Sequence, residues 1–181
     1  ISSLKSYYNF LLRTKQISES PLRKHQALKS EKRVNVPFSE KEIREVLKGF
    51  ENGDDFESVR DKLIIELLYT TGMRRAELIE LRNESLDLSQ RIVKVVGKRN
   101  KERQIPLLES VVGTIQKYLN LKGEMFPDAD HLFVTIKGKK IYANLVYRTI
   151  NDYFGKVSLK VKKSPHVVRH SFATHLLSEG A

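Results

Sequence analysis

The sequence predicts a mainly α fold with one small antiparallel β-sheet, an α+β arrangement. Three observations carry this. Apolar residues recur at helical spacing in most segments of the chain. Residues 91–107 break that period, with the β-rich runs "RIVKVV" and "RQIPL" flanking "GKRNKE", the pattern of a hairpin. The last stretch, "SPHVVRHSFATHLL" at 164–177, opens with a serine and a proline, as a helix start does.

The elements follow in order. Residues 2–17 read as a helix, with Leu4, Tyr7, Tyr8, Leu11 and Leu12 on one stripe and Pro21 beyond its end. Residues 18–37 lack an apolar period and hold Arg23, Lys24, Lys29, Lys32 and Arg33, a basic linker. Ser39 with Glu42 forms a capping box ahead of Ile43, Val46, Leu47 and Phe50. Residues 58–69, "SVRDKLIIELLY", make another helix; "TTG" breaks it and "MRRAELIEL" starts the next. After the hairpin, Val111, Val112, Ile115, Tyr118 and Leu119 mark a helix. "HLFVTI" suggests a further strand with "KGKK" as its turn, and residues 143–155 are helical. On the last helix only Ser171, Thr174 and Ser178 form a polar stripe, so it is expected to be buried on most sides, with His175 as a packed core histidine.

Composition narrows the function. Lysine plus arginine number 33 against 22 acidic residues, a net charge of +11 over 181 residues, which favours a polyanionic partner. An anionic membrane surface would be the rival. The sequence shows no strongly cationic amphipathic helix and no apolar run long enough to span a bilayer, so no membrane partner is expected. With no cysteine there is no disulfide and no thiolate metal site. No signal peptide is visible, and a cytoplasmic protein facing nucleic acid is the expectation.

Three basic sites stand out. On the last helix, His166 and Arg169 share a face, His170 lies close to it, and the helix start adds free N–H groups and a positive dipole end. Arginine, histidine and helix amides together describe a phosphate pocket. The alternatives are a structural Arg169 paired with a core carboxylate and a two-histidine metal site, although the latter has no evident third ligand. "RHSF" lacks the glycine of the histidine phosphatase "RHG" motif. In "TTGMRRAEL", Gly72 interrupts one helix and sets Arg74 near the start of the next, with Glu77 three residues on and able to hold its guanidinium. A surface ion pair is the plainer reading. Arg75 points elsewhere, toward solvent or a DNA backbone. The hairpin carries Arg91, Lys94, Lys98, Arg99, Lys101 and Arg103 against Glu102 alone, so its tip could lie on phosphates or simply be soluble.

These segments together resemble the catalytic domain of tyrosine recombinases (integrases), most closely the bacterial Xer type. "TGMRRAEL" is similar to the box of the first catalytic arginine, which maps to Arg74, with Glu77 as its acidic residue. "GKRNKERQIPL" resembles the hairpin of the catalytic lysine, mapping to Lys98, and "HVVRHSFATHLL" the H-x-x-R box, mapping to His166 and Arg169. The resemblance runs from about residue 38 to Ala181, in order. It implies residues 38–181 as a catalytic domain lacking its C-terminal end. Residues 1–20 would be the last helix of an N-terminal, DNA-clamping core-binding domain, and 21–37 the linker.

The implied chemistry is site-specific DNA recombination through a 3′-phosphotyrosyl intermediate, with double-stranded DNA as partner, a homotetramer on two duplexes, and no metal or cofactor. Arg74 and Arg169 would hold the non-bridging oxygens, where charge grows in the transition state. Lys98 would protonate the leaving 5′-oxygen, and His166 would act as base or hydrogen-bond donor. Glu77 and His170 would support them, while Arg75, Arg99, Lys101 and Arg103 would contact DNA. The family's remaining catalytic residues, a histidine or tryptophan and the nucleophilic tyrosine, follow the H-x-x-R helix. Here all seven tyrosines precede His166 and the chain ends at Ala181, so the nucleophile is expected outside this chain. A DNA-binding protein that keeps the fold without catalysis is the alternative. A small-substrate phosphatase and a type IB topoisomerase are more distant ones.

Overall fold

The structure, a computed structural model, describes residues 2–25, 36–50, 53–97 and 101–180. It contains two compact units, Ile1–Val34 and Asn35–Ala181.

In the first unit, helix α1 spans Ser2–Arg13, ending short of the expected residue 17. Lys15 turns into the left-handed region (φ 56°), so its N–H reaches the carbonyl of Leu12 at 3.1 Å and the Gln16 N–H that of Leu11 at 3.0 Å. This closing motif satisfies the last carbonyls and ends the helix. The apolar stripe runs to Leu12 and carries no sign of that turn.

In the second unit the helices are α2 (Glu40–Lys48), α3 (Phe56–Thr71), α4 (Arg75–Glu80), α5 (Glu109–Met125), α6 (Ala143–Val157) and α7 (Pro165–Ser178). The expected capping box is present: the Ser39 hydroxyl accepts the Glu42 N–H at 3.3 Å, and the Glu42 carboxylate accepts the Ser39 N–H at 2.7 Å. Helix α3 is the centre. Leu63, Ile64, Ile65, Leu67 and Leu68 are all 0% exposed, because an apolar surface all round a helix must be covered on every side. It packs against α5 on one side and α7 on another. Asp55 caps its start by accepting the N–H groups of Glu57 and Ser58, both at 3.1 Å, which lengthens the helix beyond the expected residue 58.

The sheet has strands β1 (Leu86–Asp87), β2 (Ile92–Val96) and β3 (Glu102–Pro106), antiparallel in the order β1-β2-β3. The hairpin pairs Val93 with Ile105 and Val95 with Arg103. Val93 and Val95 face the core. Arg103 and Ile105 are half-buried, while Glu102, Gln104 and Pro106 between and beside them are exposed.

Two expectations are corrected. "HLFVTI" is not a strand; only isolated bridges, Arg82 with His131 and Val134 with Lys140, mark it. Leu132, Phe133 and Val134 are buried one after another, so the segment does not alternate as a strand facing solvent would, and the Val134 N–H goes to the Tyr118 hydroxyl at 3.2 Å. The turn at "KGKK" is real: the Thr135 N–H donates to the Lys139 carbonyl at 2.7 Å. Nor is α7 buried on most sides. Its first two turns bury Val167, Val168 and Ser171, but Leu177 is 71% exposed. The polar Ser171 goes inside because its hydroxyl accepts the Phe38 N–H at 2.7 Å and donates to the Val167 carbonyl at 2.9 Å. That bond holds the entry to α2 against α7, where the Phe38 ring stacks on Phe154 at 4.0 Å.

Candidate active site

The junction between α3 and α4 builds the first half of the site. Gly72 caps α3 with φ 57°, in the left-handed region that a side chain resists. A Cβ there would also fall 2.3 Å from the Phe172 ring of α7, so only glycine permits this approach. The chain then extends through Arg74, the residue before α4, and turns into the helix at Arg75. Glu77 lies in the first turn of α4 and is buried. Its carboxylate accepts the Arg74 N–H at 2.6 Å and the Arg74 Nη1 at 2.9 Å. The glutamate expected to hold the arginine does so.

The second half comes from α7. Ser164 caps the helix and Pro165 occupies its first position, which sets His166 and Arg169 on the turn that follows. Arg169 reaches across to α3, where its Nη1 donates to the Gly72 carbonyl. Gly72 thus serves both halves: its conformation releases α4, and its oxygen anchors Arg169.

An open cavity of about 670 Å³ lies between them, lined by Arg74, Arg75, Ala76, Tyr147, Ser164, Pro165, His166 and Arg169. The two arginines, 95 positions apart, share it with His166. Burial first, and then the charges of Arg74 and Arg103, push the Arg169 guanidinium below its ordinary value, with Glu77 opposing. Guanidinium stays protonated regardless, so the shift reflects the partial burial of Arg169 and, after it, the like charges beside it.

The remaining candidates divide. Lys98 and Arg99 lie outside the described residues. Lys101 is exposed, and its carbonyl accepts the Gly97 N–H at 2.8 Å, closing the hairpin stem. Arg75 is exposed at the cavity wall. Arg103, expected as a DNA contact, instead forks onto Glu77: Nη1 to Oε1 and Nη2 to Oε2, both at 2.9 Å. His170 is exposed and is not part of the cavity wall. His175 is not the core histidine expected: it is half-buried at the edge of α7, with its Nδ1 2.9 Å from the Tyr69 hydroxyl. Tyr147, in the cavity wall from α6, was not singled out by sequence; "NLVYRTI" gives an aromatic at helical spacing no signal of its neighbours. Among the described residues no group of three or more histidine, aspartate or glutamate side chains could hold a metal, and no helix is long and apolar enough to cross a membrane.

Burial pushes the Glu77 carboxyl up, but hydrogen bonds from Arg103 and from the backbone and side chain of Arg74 outweigh it and hold the group at about 2. The acid is therefore fully ionised at neutral pH and serves as a fixed anchor for cations.

The phage integrase family model matches residues 37–181, with all three motif boxes inside it. The chain belongs to the phage integrase family. It is 37% identical over 203 aligned residues to the tyrosine recombinase XerC of Chlorobaculum parvum, covering 100% of this chain and 60% of the relative. The crystal structure of XerA recombinase superimposes with a TM-score of 0.73 at 28% identity, covering 98% of this chain and 61% of that one. A Tn1549 transposon integrase bound to circular intermediate DNA shares the fold at a TM-score of 0.78 and 24% identity, covering 99% of this chain and 65% of that one. The chain thus spans about 60% of the curated relative's length. The expected family and fold, mainly helical with one small antiparallel sheet, are both found.

Proposed function

We propose that this integrase-family chain supplies the phosphate-holding half of a site-specific DNA recombinase, which cleaves and rejoins strands through a 3′-phosphotyrosyl link. One observation carries the reading: Arg74 and Arg169 line a single open cavity with His166, and although Arg74 is paired with the buried Glu77, its own side chain stays 52% exposed. Arg74 donates sideways to Glu77 and Arg169 donates backward to a main-chain carbonyl. Each guanidinium has five N–H donors and so retains others for two non-bridging oxygens of one phosphodiester.

In this reading the arginines stabilise the charge that grows on those oxygens. His166, exposed at the cavity wall, faces the attacking oxygen as base or donor. Lys98, whose hairpin stem ends next to the Glu77–Arg103 pair, protonates the leaving 5′-oxygen. The tyrosyl ester conserves the bond energy, so rejoining needs no external energy source. Duplex DNA is the partner, and a tetramer on two duplexes is the working assembly. No tyrosine of this chain is assigned the attack.

The test uses the gene-encoded protein and a nicked duplex that traps the covalent adduct. Arg169→Ala should lower adduct formation by about 10²–10³-fold or more while binding DNA nearly as well. A large fall in thermal stability with unchanged adduct formation would overturn the reading and make Arg169 a structural residue.

A further inference from the structure

The cavity explains Arg74 and Arg169 but not Arg103, which stands on β3 outside it and binds Glu77 with both terminal nitrogens. We infer that Arg103 is a positioning residue: through Glu77 it fixes the aim of Arg74 and docks the stem of the Lys98 hairpin on the start of α4. The inference rests on the recombinase reading above.

The two oxygens of a carboxylate offer about four lone-pair directions. All four are used here: Oε1 accepts Arg74 Nη1 and Arg103 Nη1, and Oε2 accepts the Arg74 N–H and Arg103 Nη2. Arg74 alone takes one direction on each oxygen, through its N–H and its Nη1, and leaves the other two open. The fork from Arg103 is planar and bidentate, so it fixes the carboxylate plane, and with it the direction from which Arg74 is held.

The same fork joins two elements that are separate along the chain. β3 pairs with β2, and Gly97 follows β2 directly. A Cβ on Gly97 would lie 3.5 Å from Arg103 Nη1 and 3.7 Å from Glu77 Oε1, so the stem passes beside the clamp one residue before Lys98. The arginine of the cavity and the β2–β3 stem up to Gly97 are referenced to one buried carboxylate.

Turning the whole fork to a phosphate, the expectation from charge alone, would require Arg103 to give up a bidentate bond to a carboxylate that is itself buried. Its departure would leave one acceptor direction on each buried oxygen of Glu77 unfilled, which is unfavourable. The fork therefore stays with Glu77 when DNA binds.

The experiment is a double-mutant cycle on the gene-encoded protein, reading single-turnover adduct formation and the salt dependence of DNA binding. Arg103→Ala should slow adduct formation about 10- to 100-fold, the cost of a small misplacement at a reacting group. The slope of log affinity against log salt should not change. Arg103→Lys keeps the charge without the fork and should recover only part of the rate. On an Arg74→Lys background, Arg103→Ala should cost no more than about threefold further, because coupled residues are not additive. A salt slope reduced by about one would make Arg103 a phosphate contact and overturn the inference. Multiplicative rate effects, or an unchanged rate in Arg103→Ala, would overturn it too. If Arg74→Lys cleaves like the unsubstituted protein, the recombinase reading fails and this inference with it. If Arg74→Lys is slow and Arg103→Ala is not, only this inference fails.

Discussion

Two ion pairs in this chain have the same spacing and opposite outcomes. Glu57 and Arg60 on α3 are three apart, and so are Arg74 and Glu77 at α4. In the first the arginine side chain is 4% exposed and the glutamate 53%. In the second the glutamate is 5% exposed and the arginine 52%. The buried member anchors the pair, and the other is presented to solvent. Arg60 is buried with Asp61 at 2.8 Å and lies over the Phe56 ring at 5.9 Å, so its charge is met within α3 itself. Arg74 is presented into a cavity beside a second arginine. Sequence spacing proposes both pairs, and burial assigns their work.

Losing either arginine has the largest effect, and a different one in each case. Arg74→Ala should reduce covalent adduct formation on a nicked duplex by about 10²–10³-fold, with little change in the melting temperature. Arg60→Ala should do the reverse. It leaves Asp61 half-buried without its partner, and such a loss costs about 3–5 kcal/mol. Adduct formation per folded molecule, measured well below the melting temperature, should stay near normal. Urea titration and the trapping assay on both variants check this. Equal melting temperatures would remove the distinction between anchor and presented charge.

The legible part of the site is the part with local punctuation. Gly72 ends α3, Ser164 and Pro165 start α7, and each break sets a cation beside it. Arg74, His166 and Arg169 could therefore be placed before any contact was known. The Glu77–Arg103 fork was not legible in the same way, because it joins residues 26 apart and depends on hairpin register. One signal was present: Arg103 and Ile105 alternate with Glu102, Gln104 and Pro106, which puts Arg103 on the inner face of β3. Ser171 misled for a different reason. Its polarity suggested the outside of α7, yet it is buried because the Phe38 N–H needs an acceptor there. Period-based reading assumes that polar residues seek water, and it fails where a backbone group seeks a partner inside.

Acid acts on the second pair at smaller amplitude, through Glu77. Its folded value of about 2 lies below the ordinary 4.5. The carboxylate therefore contributes stability that is fully present above pH 4.5 and is lost as pH falls toward 2. The shift corresponds to at most about 3 kcal/mol. Glu42, held at about 2 against burial by Lys160, Ser158 and Ser39, loses its contribution in the same window. Glu77→Gln should thus be less stable than the parent at pH 7, and the gap should close by pH 2 while the Glu42 loss persists. Glu57→Gln should cost only about 0.2–1 kcal/mol, as exposed pairs do. Urea midpoints across this range decide it. A gap that stays constant with pH would show that Glu77 is not the charged anchor.

The smallest effect concerns what the presented guanidinium faces. Tyr147 comes from α6 into the same cavity wall as Arg74, His166 and Arg169, and it is 45% exposed. A phenol beside two arginines would be a plausible attacking group on proximity alone. The recombinase reading gives it a different part, as a wall of the cavity, because no motif assigns it the attack. Tyr147→Phe keeps the ring and removes only the hydroxyl, so adduct formation should change by no more than about threefold, the scale of one hydrogen bond. The covalent peptide released by protease digestion should carry its nucleotide on a tyrosine other than Tyr147. A phosphotyrosyl peptide containing Tyr147, or complete loss of adduct in Tyr147→Phe, would move the nucleophile onto α6. Arg74 would then be presented to its own chain's tyrosine, and the division between anchor and presented charge would describe a site assembled within these residues alone.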